Sequence, residues 1–494
     1  MLRAADKTSS KPATLISVYF DTNKLKLRNK GLSLRVRRTG HRHVQTIKQD
    51  SGASAALFDR NEWERDIAGK EPDLDSARDT ALEPLLSKKL RRKLKPVFAT
   101  RVRRTIYPIH SGESEIELTI DKGKVEANGH SSPLCEVELE LKRGDAAELY
   151  KLARTLATEV PVQLAVKSKA ERGYALVARE EPAVIKVAPV ALAPDSNCQA
   201  AFQAIARACL RQLATNRPDG DADSLHQMRV ALRRLRAVIS LFSDMLADPQ
   251  TAAMKAEFKW ITGELSPARE LDVFVKRVVK PVAEGKPKPG TAVLTKEFRQ
   301  KRAAAFARAQ AAIDSARFRA AILATAEWIK SGDWTRNDNE ASRALREEPV
   351  ASSAIDELRR RTKKILKRGA RLNKIDPQRR HKLRIQAKKL RYAAEFFAGV
   401  FPGKKAVRRR ERFAAALEKL QDALGDLNDI AVHEGLTERL IDGPDALGKR
   451  RRGRAKKAFA AGRLSGREEA RVASVLKDAE RAYGDFAKVK PFWS

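Results

Sequence analysis

HQMRVALRRLR (226–236) and HKLRIQAKKLR (381–391) are one pattern written twice, both reading H-x-x-R-x-x-x-[KR]-[KR]-L-R. At roughly 100° per residue, His226, Arg229, Arg233 and Arg236 fall in a single narrow stripe of a helix. Met228, Leu232, Leu235, Ile239 and Phe242 fall on the opposite side. The second copy repeats both faces, with His381, Arg384, Lys388 and Arg391 set against Leu383, Ala387, Leu390, Ala394 and Phe397. Each copy is followed further along the chain by a related acidic turn, LSPARELDVF (265–274) and LGDLNDIAVH (424–433). Two homologous helical halves follow, each a bundle. One basic helix face alone reads as a solvated surface. Two that keep the same positions point to stripes facing each other across a pseudo-twofold axis, forming one basic channel in which the histidines donate to phosphate when protonated.

The helical period of 3.6 holds from Asn197 to the end of the chain, interrupted at GKPKPG (285–290) and SGDWTRNDNE (331–340). Before it, EEPAVIKVAPVALAPD (181–196) has no stable period and reads as a linker. Ahead of the linker the period is 2: SLRVRR, HVQTIK, RNEWERDI, ATRVRRTI, SEIELTID and LCEVELELK are short alternating segments between Gly, Asn, Asp and Ser turns. Helical stretches are expected near 83–95 and at 145–160. The organisation expected is an α+β, mostly antiparallel domain over residues 1–180, a linker at 181–196 and an all-α domain over 197–494.

At 494 residues the chain exceeds one ordinary core. Its net charge of +37 exceeds what keeps a protein dissolved and implies a polyanionic partner: nucleic acid, anionic lipid or inorganic polyphosphate. The excess is +9 over residues 1–185 and +28 over 186–494, so most of it sits in the helical part. Cys135, Cys198 and Cys209 form no pairing pattern, which fits a reducing compartment. No export signal and no run of 18 apolar residues is present, so a cytoplasmic protein that does not span a membrane is expected.

In a strand, alternate residues share a face. Arg35 and Arg37 therefore cluster, as do Arg60, Glu62 and Glu64; Arg101 and Arg103; Glu115, Glu117 and Asp121; and Glu136, Glu138, Glu140 and Lys142. A half-exposed sheet with a solvated charged face explains alternation. It does not explain why basic and acidic strands lie apart, nor why the other face is apolar. A closed barrel with a charged lumen explains both: Arg and Lys would grip phosphate oxygens, and carboxylates would hold a hard divalent cation.

At these residues the chain resembles the CYTH family, the triphosphate tunnel metalloenzymes, through YFDT (19–22), LSLRVRR (32–38), TIK (46–48), R-x-E-W-E (60–64), D-x-G (121–123), EVELELKRG (136–144) and SKAERGY (168–174). The resemblance implies an eight-stranded antiparallel tunnel that hydrolyses inorganic triphosphate or a related triphosphate with Mg²⁺ or Mn²⁺. By motif, Arg35, Arg37, Lys48, Arg60, Arg101, Arg103 and Lys169 would bind phosphate. Glu136, Glu138 and Glu140 would ligate metal, and Glu62, Glu64, Glu117 and Asp121 would orient water or the basic residues. The family opens with a strand carrying Glu-x-Glu-x-Lys, and nothing before Tyr19 resembles it, so a tunnel lacking its first strand is expected.

The helical repeats resemble the CHAD family, which implies two four-helix bundles around a basic cavity that binds inorganic polyphosphate. His226, Arg229, Arg233, Arg236, His381, Arg384, Lys388 and Arg391 would contact the polymer, with Asp272 and Asp429 bracing the arginines. The combined reading is a polyphosphate-binding protein with a triphosphatase-type domain, the helical domain recruiting polymer or anchoring the protein to polyphosphate granules. The alternative is a non-catalytic polyphosphate-binding scaffold with a degenerate tunnel. Nucleic acid is disfavoured as partner, because the stripes lack interleaved aromatics for stacking.

Overall fold

The computed structural model describes residues 11–49, 61–179, 184–186, 190, 192–193, 195–216, 221–281, 291–441 and 451–493. The chain divides into two compact units. One is Met1–Ile185 with Leu210–Thr215 and Ala316–Gly332; the other is Lys186–Cys209, Asn216–Ser315 and Asp333–Ser494.

Seven strands form the sheet of the first unit: β1 (Ala13–Asp21), β2 (Leu32–Thr39), β3 (Arg42–Gln49), β4 (Asn61–Ile67), β5 (Lys95–Ser111), β6 (Ser114–Ala127) and β7 (His130–Arg143). All neighbours are antiparallel, in the order β4-β3-β2-β1-β5-β6-β7. The period-2 segments lie on β2 to β7, and YFD ends β1. Among the described residues β4 and β7 are the two edges. Glu64 of β4 nevertheless helps hold the Lys142 ammonium of β7 above its ordinary value, after the hydrogen-bonded Glu140. The sheet therefore curls until its two edges share one electrostatic field.

One face of the curl is apolar in the half built from β1 to β3: Phe20, Leu34, Val36 and Ile47 pack with Leu27, Leu74, Leu82 and Leu90. Leu90 lies on α1 (Lys88–Lys93), which Ser87 caps through its side chain. The other face carries the charged residues, together with a smaller cluster of Leu15, Tyr19, Phe98, Val102, Val125, Leu134 and Tyr174. Two helices follow the last strand, α2 (Ala146–Glu159), capped by Asp145, and α3 (Lys169–Val177), opened by a Ser168/Glu171 capping box. Helix α3 lies directly on the charged face. A Cβ at Gly173 would come within 2.0 Å of the Phe98 ring, so only glycine allows that approach.

The second part of the chain is helical: α4 (Cys198–Thr215), α5 (Ala222–Leu241), α6 (Pro249–Phe274), α7 (Thr291–Asp314), α8 (Ala316–Ser331), α9 (Glu340–Glu347), α10 (Val350–Gly369), α11 (Pro377–Phe396), α12 (Lys404–Ile441) and α13 (Arg451–Ala487). The repeat is visible in the order of elements. Helices α4 to α7 correspond to α10 to α13, and the residues that precede α4 and α10 are joined by a bridge between Asn197 and Pro349. Helix α5 packs on α6 and α11 on α12, while α5 and α11 pack on each other between the halves. Of the two interruptions expected from sequence, 331–340 separates α8 from α9, and 285–290 lies outside the described residues. Every residue of the two expected apolar stripes is buried, from Met228 and Leu235 on α5 to Leu383 and Leu390 on α11.

Candidate functional site

Directly paired residues of antiparallel strands share a face, so the registers fix which side chains meet. Tyr19 pairs with Arg35, Arg35 with Thr46, and Thr46 with Glu64; Ser17 pairs with Arg37, and Lys48 with Glu62. These residues lie on the face that α3 covers. Arg35 is buried and its Nη2 stands 3.5 Å from Glu64 and 3.7 Å from Glu62. Lys48 Nζ donates to Glu62 at 2.7 Å, and Thr46 Oγ1 donates to Glu64 at 2.8 Å. Burial, then the fields of Arg35 and Arg104, bring the Arg37 guanidinium down to about 10. Burial and Arg35 likewise lower the Lys48 ammonium. The Nε atoms of Arg35 and Arg37 are buried without a hydrogen-bond partner. This half of the face is an array of cations with spare donors.

The other half is acidic and internally paired. Asp121 of β6 has no exposed surface and takes a bidentate pair from Arg104, Nε to Oδ1 at 2.7 Å and Nη2 to Oδ2 at 2.6 Å. Arg104 Nη2 also reaches Glu138 at 2.7 Å. Lys169, the first residue of α3, places its Nζ 3.0 Å from Asp121, 2.9 Å from Glu136 and 2.6 Å from Glu138. Arg172, one turn further along α3, reaches Glu136 at 3.2 Å. Burial alone would lower the Lys169 ammonium, but Glu138, Glu136 and Asp121 outweigh it and hold it above the ordinary lysine value. Burial alone would raise the Glu138 carboxyl, yet Lys169 and Arg104 hold it low. Glu140 is two-thirds exposed and contacts Lys142 at 2.8 Å, while Glu117 stands 3.9 Å from the same ammonium.

Arg101 and Arg103 do not join this face. Their strand neighbours Phe98, Thr100 and Val102 pair with Tyr19, Ser17 and Leu15, so the charged face takes the even-numbered residues of β5, and Arg104 stands where Arg103 was expected. Arg101 points the other way and pairs with Glu126 at 2.8 Å. R-x-R-R offers two phases, and the buried Val102 between the arginines is the residue that selects Arg104. Glu115, also expected on the acidic face, is exposed at the end of β6. Arg60 lies outside the described residues. Arg172 was detectable as the residue three after Lys169 on one helix face.

Among the described residues, no three His, Cys, Asp or Glu side chains are grouped so as to hold a metal ion. Asp121, Glu136 and Glu138 converge on an ammonium instead. Glu138 and Glu140, the more exposed carboxylates of β7, remain open to sharing a hard cation with phosphate oxygens.

The second constellation is built by α5 and α11. Asp221 caps α5 and Asp376 caps α11, each through its carboxylate, and this fixes the start of both stripes. Arg229 and Arg233 of α5 and Arg384 and Lys388 of α11 lie within one field. Burial, then Arg233, lowers Arg229 to about 10, with Arg384 adding to the effect. Burial, then Arg384, Arg233 and Arg391, lowers the Lys388 ammonium to about 7, against the opposing field of Asp429. Nη1 of Arg229 and Nε of Arg233, Arg384 and Arg391 are buried with no hydrogen-bond partner. These five cations come from both repeats, and the structure brings them together.

The remaining members of the stripes separate. Arg236 is exposed one turn beyond Arg233, where its field reaches Lys389 beside Arg361 and Lys364. His226 is half-buried; burial, then Arg269, Arg233 and Arg229, lowers its imidazolium to about 4, so it is neutral near pH 7 and was not recognisable as such from sequence. His381 is exposed and hydrogen-bonds Asn428. Asp272 is buried and holds Arg269 at 3.1 Å and Arg302 at 2.8 Å. Asp429 contacts Arg277 at 3.3 Å. Arg269 and Arg277 went unnoticed in the sequence because each lies beside an acidic turn read for its carboxylates.

Comparison with known proteins matches residues 2–174 to the CYTH domain and residues 204–438 to the CHAD domain. An inorganic triphosphatase of Haemophilus influenzae is 29% identical over 174 residues, covering 33% of this chain and 46% of that protein, so the match spans under half of the relative's length. The solved CHAD domain of the plant Ricinus communis is 26% identical and superposes with a TM-score of 0.52, covering 62% of this chain and 98% of that one. PptA from Streptomyces chartreusis is 16% identical with a TM-score of 0.42, over 58% of this chain and 100% of that one.

Proposed function

Since the chain carries a CYTH domain followed by a CHAD domain, we propose that it binds inorganic polyphosphate through the helical domain and hydrolyses inorganic triphosphate or a related triphosphate in the tunnel domain. The observation that carries the reading is the set of buried, unpartnered guanidinium nitrogens on Arg229, Arg233, Arg384 and Arg391. A buried donor without a partner costs about 1–3 kcal/mol, and a chain of phosphates supplies acceptors at close, regular spacing. In the tunnel, Arg35, Arg37, Lys48 and Arg104 would receive the phosphates, with Lys169 at the acidic wall. Glu138 and Glu140 would hold Mg²⁺ or Mn²⁺, which would neutralise charge on the phosphates. Glu62 and Glu64 keep Lys48 and Arg35 aimed at the lumen, and Glu117 and Asp121 do the same for Lys142 and Arg104. No described helix is long and apolar enough to cross a membrane, and we place the protein in the cytoplasm, where polyphosphate granules would be its site of recruitment.

The test is phosphate release from tripolyphosphate by the full chain with Mg²⁺ or Mn²⁺, beside Glu138→Ala, together with polyphosphate binding. Metal-dependent release abolished in Glu138→Ala supports the hydrolase. A second reading, a polyphosphate-binding scaffold with an inactive tunnel, is favoured by the pairing of three acidic side chains with Lys169, Arg104 and Arg172. Binding without release would establish it, and absence of both would overturn the proposal.

A further inference from the structure

The acidic wall of the tunnel is balanced before any metal or phosphate arrives. Asp121, Glu136 and Glu138 face Arg104, Lys169 and Arg172, three carboxylates against three cations, joined by six contacts of 3.2 Å or less. Lys169 is central, being the one cation that touches all three carboxylates. It occupies the place where a hard cation would be expected, and no three-carboxylate group is free among the described residues.

The position of Lys169 is set from the backbone. It begins α3, whose first turn is closed by the Ser168 side chain accepting from Glu171 and the Glu171 carboxylate accepting from Ser168. The far end of α3 is fixed by Tyr174, which donates to the buried Asp21 at 3.1 Å and packs edge-on against Phe98. The helix is anchored, while the four-carbon lysine stem leaves the ammonium free to turn. Its side chain is 11% exposed, so charge added beside it is weakly screened.

We propose that Lys169 is an internal counter-ion that keeps divalent metal out of the tunnel until a phosphate chain draws its ammonium away. This rests on the tunnel being the triphosphate site. A divalent cation entering alone would stand beside an ammonium held by the same oxygens. A phosphate chain entering alone would face carboxylates across a narrow space. Entering together, the phosphates would take up Lys169 and Arg104, leaving the released carboxylates of Asp121, Glu136 and Glu138 to hold the divalent cation. Each ligand removes the repulsion that opposes the other, so the coupling is positive and reciprocal.

The experiment is a Mn²⁺ titration of the full chain without phosphate, followed by electron paramagnetic resonance of free Mn²⁺. Wild type should bind weakly, and Lys169→Met should bind at least tenfold more tightly. Glu138→Gln in the Lys169→Met background should abolish the gain and so locate the ion on β7. Lys169→Arg, which keeps the charge, should behave as wild type. Equal affinity in wild type and Lys169→Met overturns the proposal. Should Lys169→Met not fold, wild type alone decides: Mn²⁺ binding that is as tight without tripolyphosphate as with it, and is lost in Glu138→Gln, also overturns it. The readout needs no turnover, so a gain of metal affinity in a chain that releases no phosphate would sustain the counter-ion and refute the hydrolase.

Discussion

The two sites bury comparable numbers of charged groups and settle them in opposite ways. On the acidic wall of the tunnel, Arg104, Lys169 and Arg172 are matched one for one by Asp121, Glu136 and Glu138. Between α5 and α11, Arg229, Arg233, Arg384, Lys388 and Arg391 face one another, and the carboxylates near them, Glu270, Asp429 and Glu395, are fewer than the cations. A paired site holds its ions in a hydrogen-bonded network, and a ligand must exchange partners with it. An unpaired site carries its repulsion in the folded state, and any polyanion relieves it. The first arrangement suits selection between ligands and turnover; the second suits retention of a polymer whose every segment looks alike.

The largest effect that would break this contrast lies in the unpaired site. Replacing Arg229, Arg233, Arg384 and Lys388 together with Ala removes charge-assisted hydrogen bonds of about 1.5–3 kcal/mol each. Polyphosphate affinity should fall by roughly a thousandfold or more, measured by calorimetry. Thermal unfolding of the unliganded variant should stay at or above the wild-type temperature, because repulsion has been removed while the apolar stripes remain. A large loss of stability would show that the cations are structural and the contrast false.

Next in size is the paired site. Arg104→Ala leaves Asp121, which has no exposed surface, with Lys169 as its remaining partner. Breaking a buried pair from one side costs about 3–5 kcal/mol. Chemical denaturation should report a loss of about that order, in the opposite sense to the quadruple variant. A neutral result would mean that the tunnel pairs exchange with solvent and do not form a network.

The contrast itself was only half legible in the sequence. Periodicity placed Arg229, Arg233, Arg384 and Lys388 opposite Met228, Leu232, Leu383 and Leu390, and the duplication said that the stripes face each other. It did not show that Arg236 leaves the cluster one turn later, because the packing angle of α5 on α11 is a property of the whole interface. Strand parity gathered Arg35, Lys48, Glu62 and Glu64 correctly. It misassigned β5, since alternation gives a period without a phase, and the phase is set by Phe98 and Val102 packing beneath α3. The pairing of the carboxylates with Lys169 was invisible, because α3 begins at Lys169, well beyond the end of β7 at Arg143, and its placement depends on Gly173 over Phe98.

A smaller effect follows from Lys388. Its ammonium is brought down to about 7 by burial and then by Arg384, Arg233 and Arg391. It faces Arg233 from α5, Arg384 and Arg391 from its own helix, and Asp429 from α12. A bound polyanion restores the charged form, so binding takes up a proton above pH 7. Affinity should be flat below pH 7 and should weaken by up to about tenfold per pH unit above it. Lys388→Arg should remove the slope. A slope that survives the substitution would assign the proton to another group.

The smallest expected effect decides the phase of β5. Arg101 is more than half exposed and pairs with Glu126 on the outer face, and Arg103 is exposed on the same side. An exposed pair of this kind is worth about 0–1 kcal/mol. Arg101→Ala and Arg103→Ala should therefore change tripolyphosphate binding and release by less than about twofold, measured side by side with Arg104→Ala. The comparison is informative because the three arginines are nearly adjacent in sequence and equal in charge, so any long-range attraction for the substrate is common to all. A loss in Arg101→Ala as deep as that in Arg104→Ala would mean that phosphate approaches from the outer face. The curl of the sheet would then enclose a paired acidic cluster that the substrate never meets, and the division between a paired, exchanging site and an unpaired, retaining one would have to be redrawn around the Arg101–Glu126 pair of the outer face.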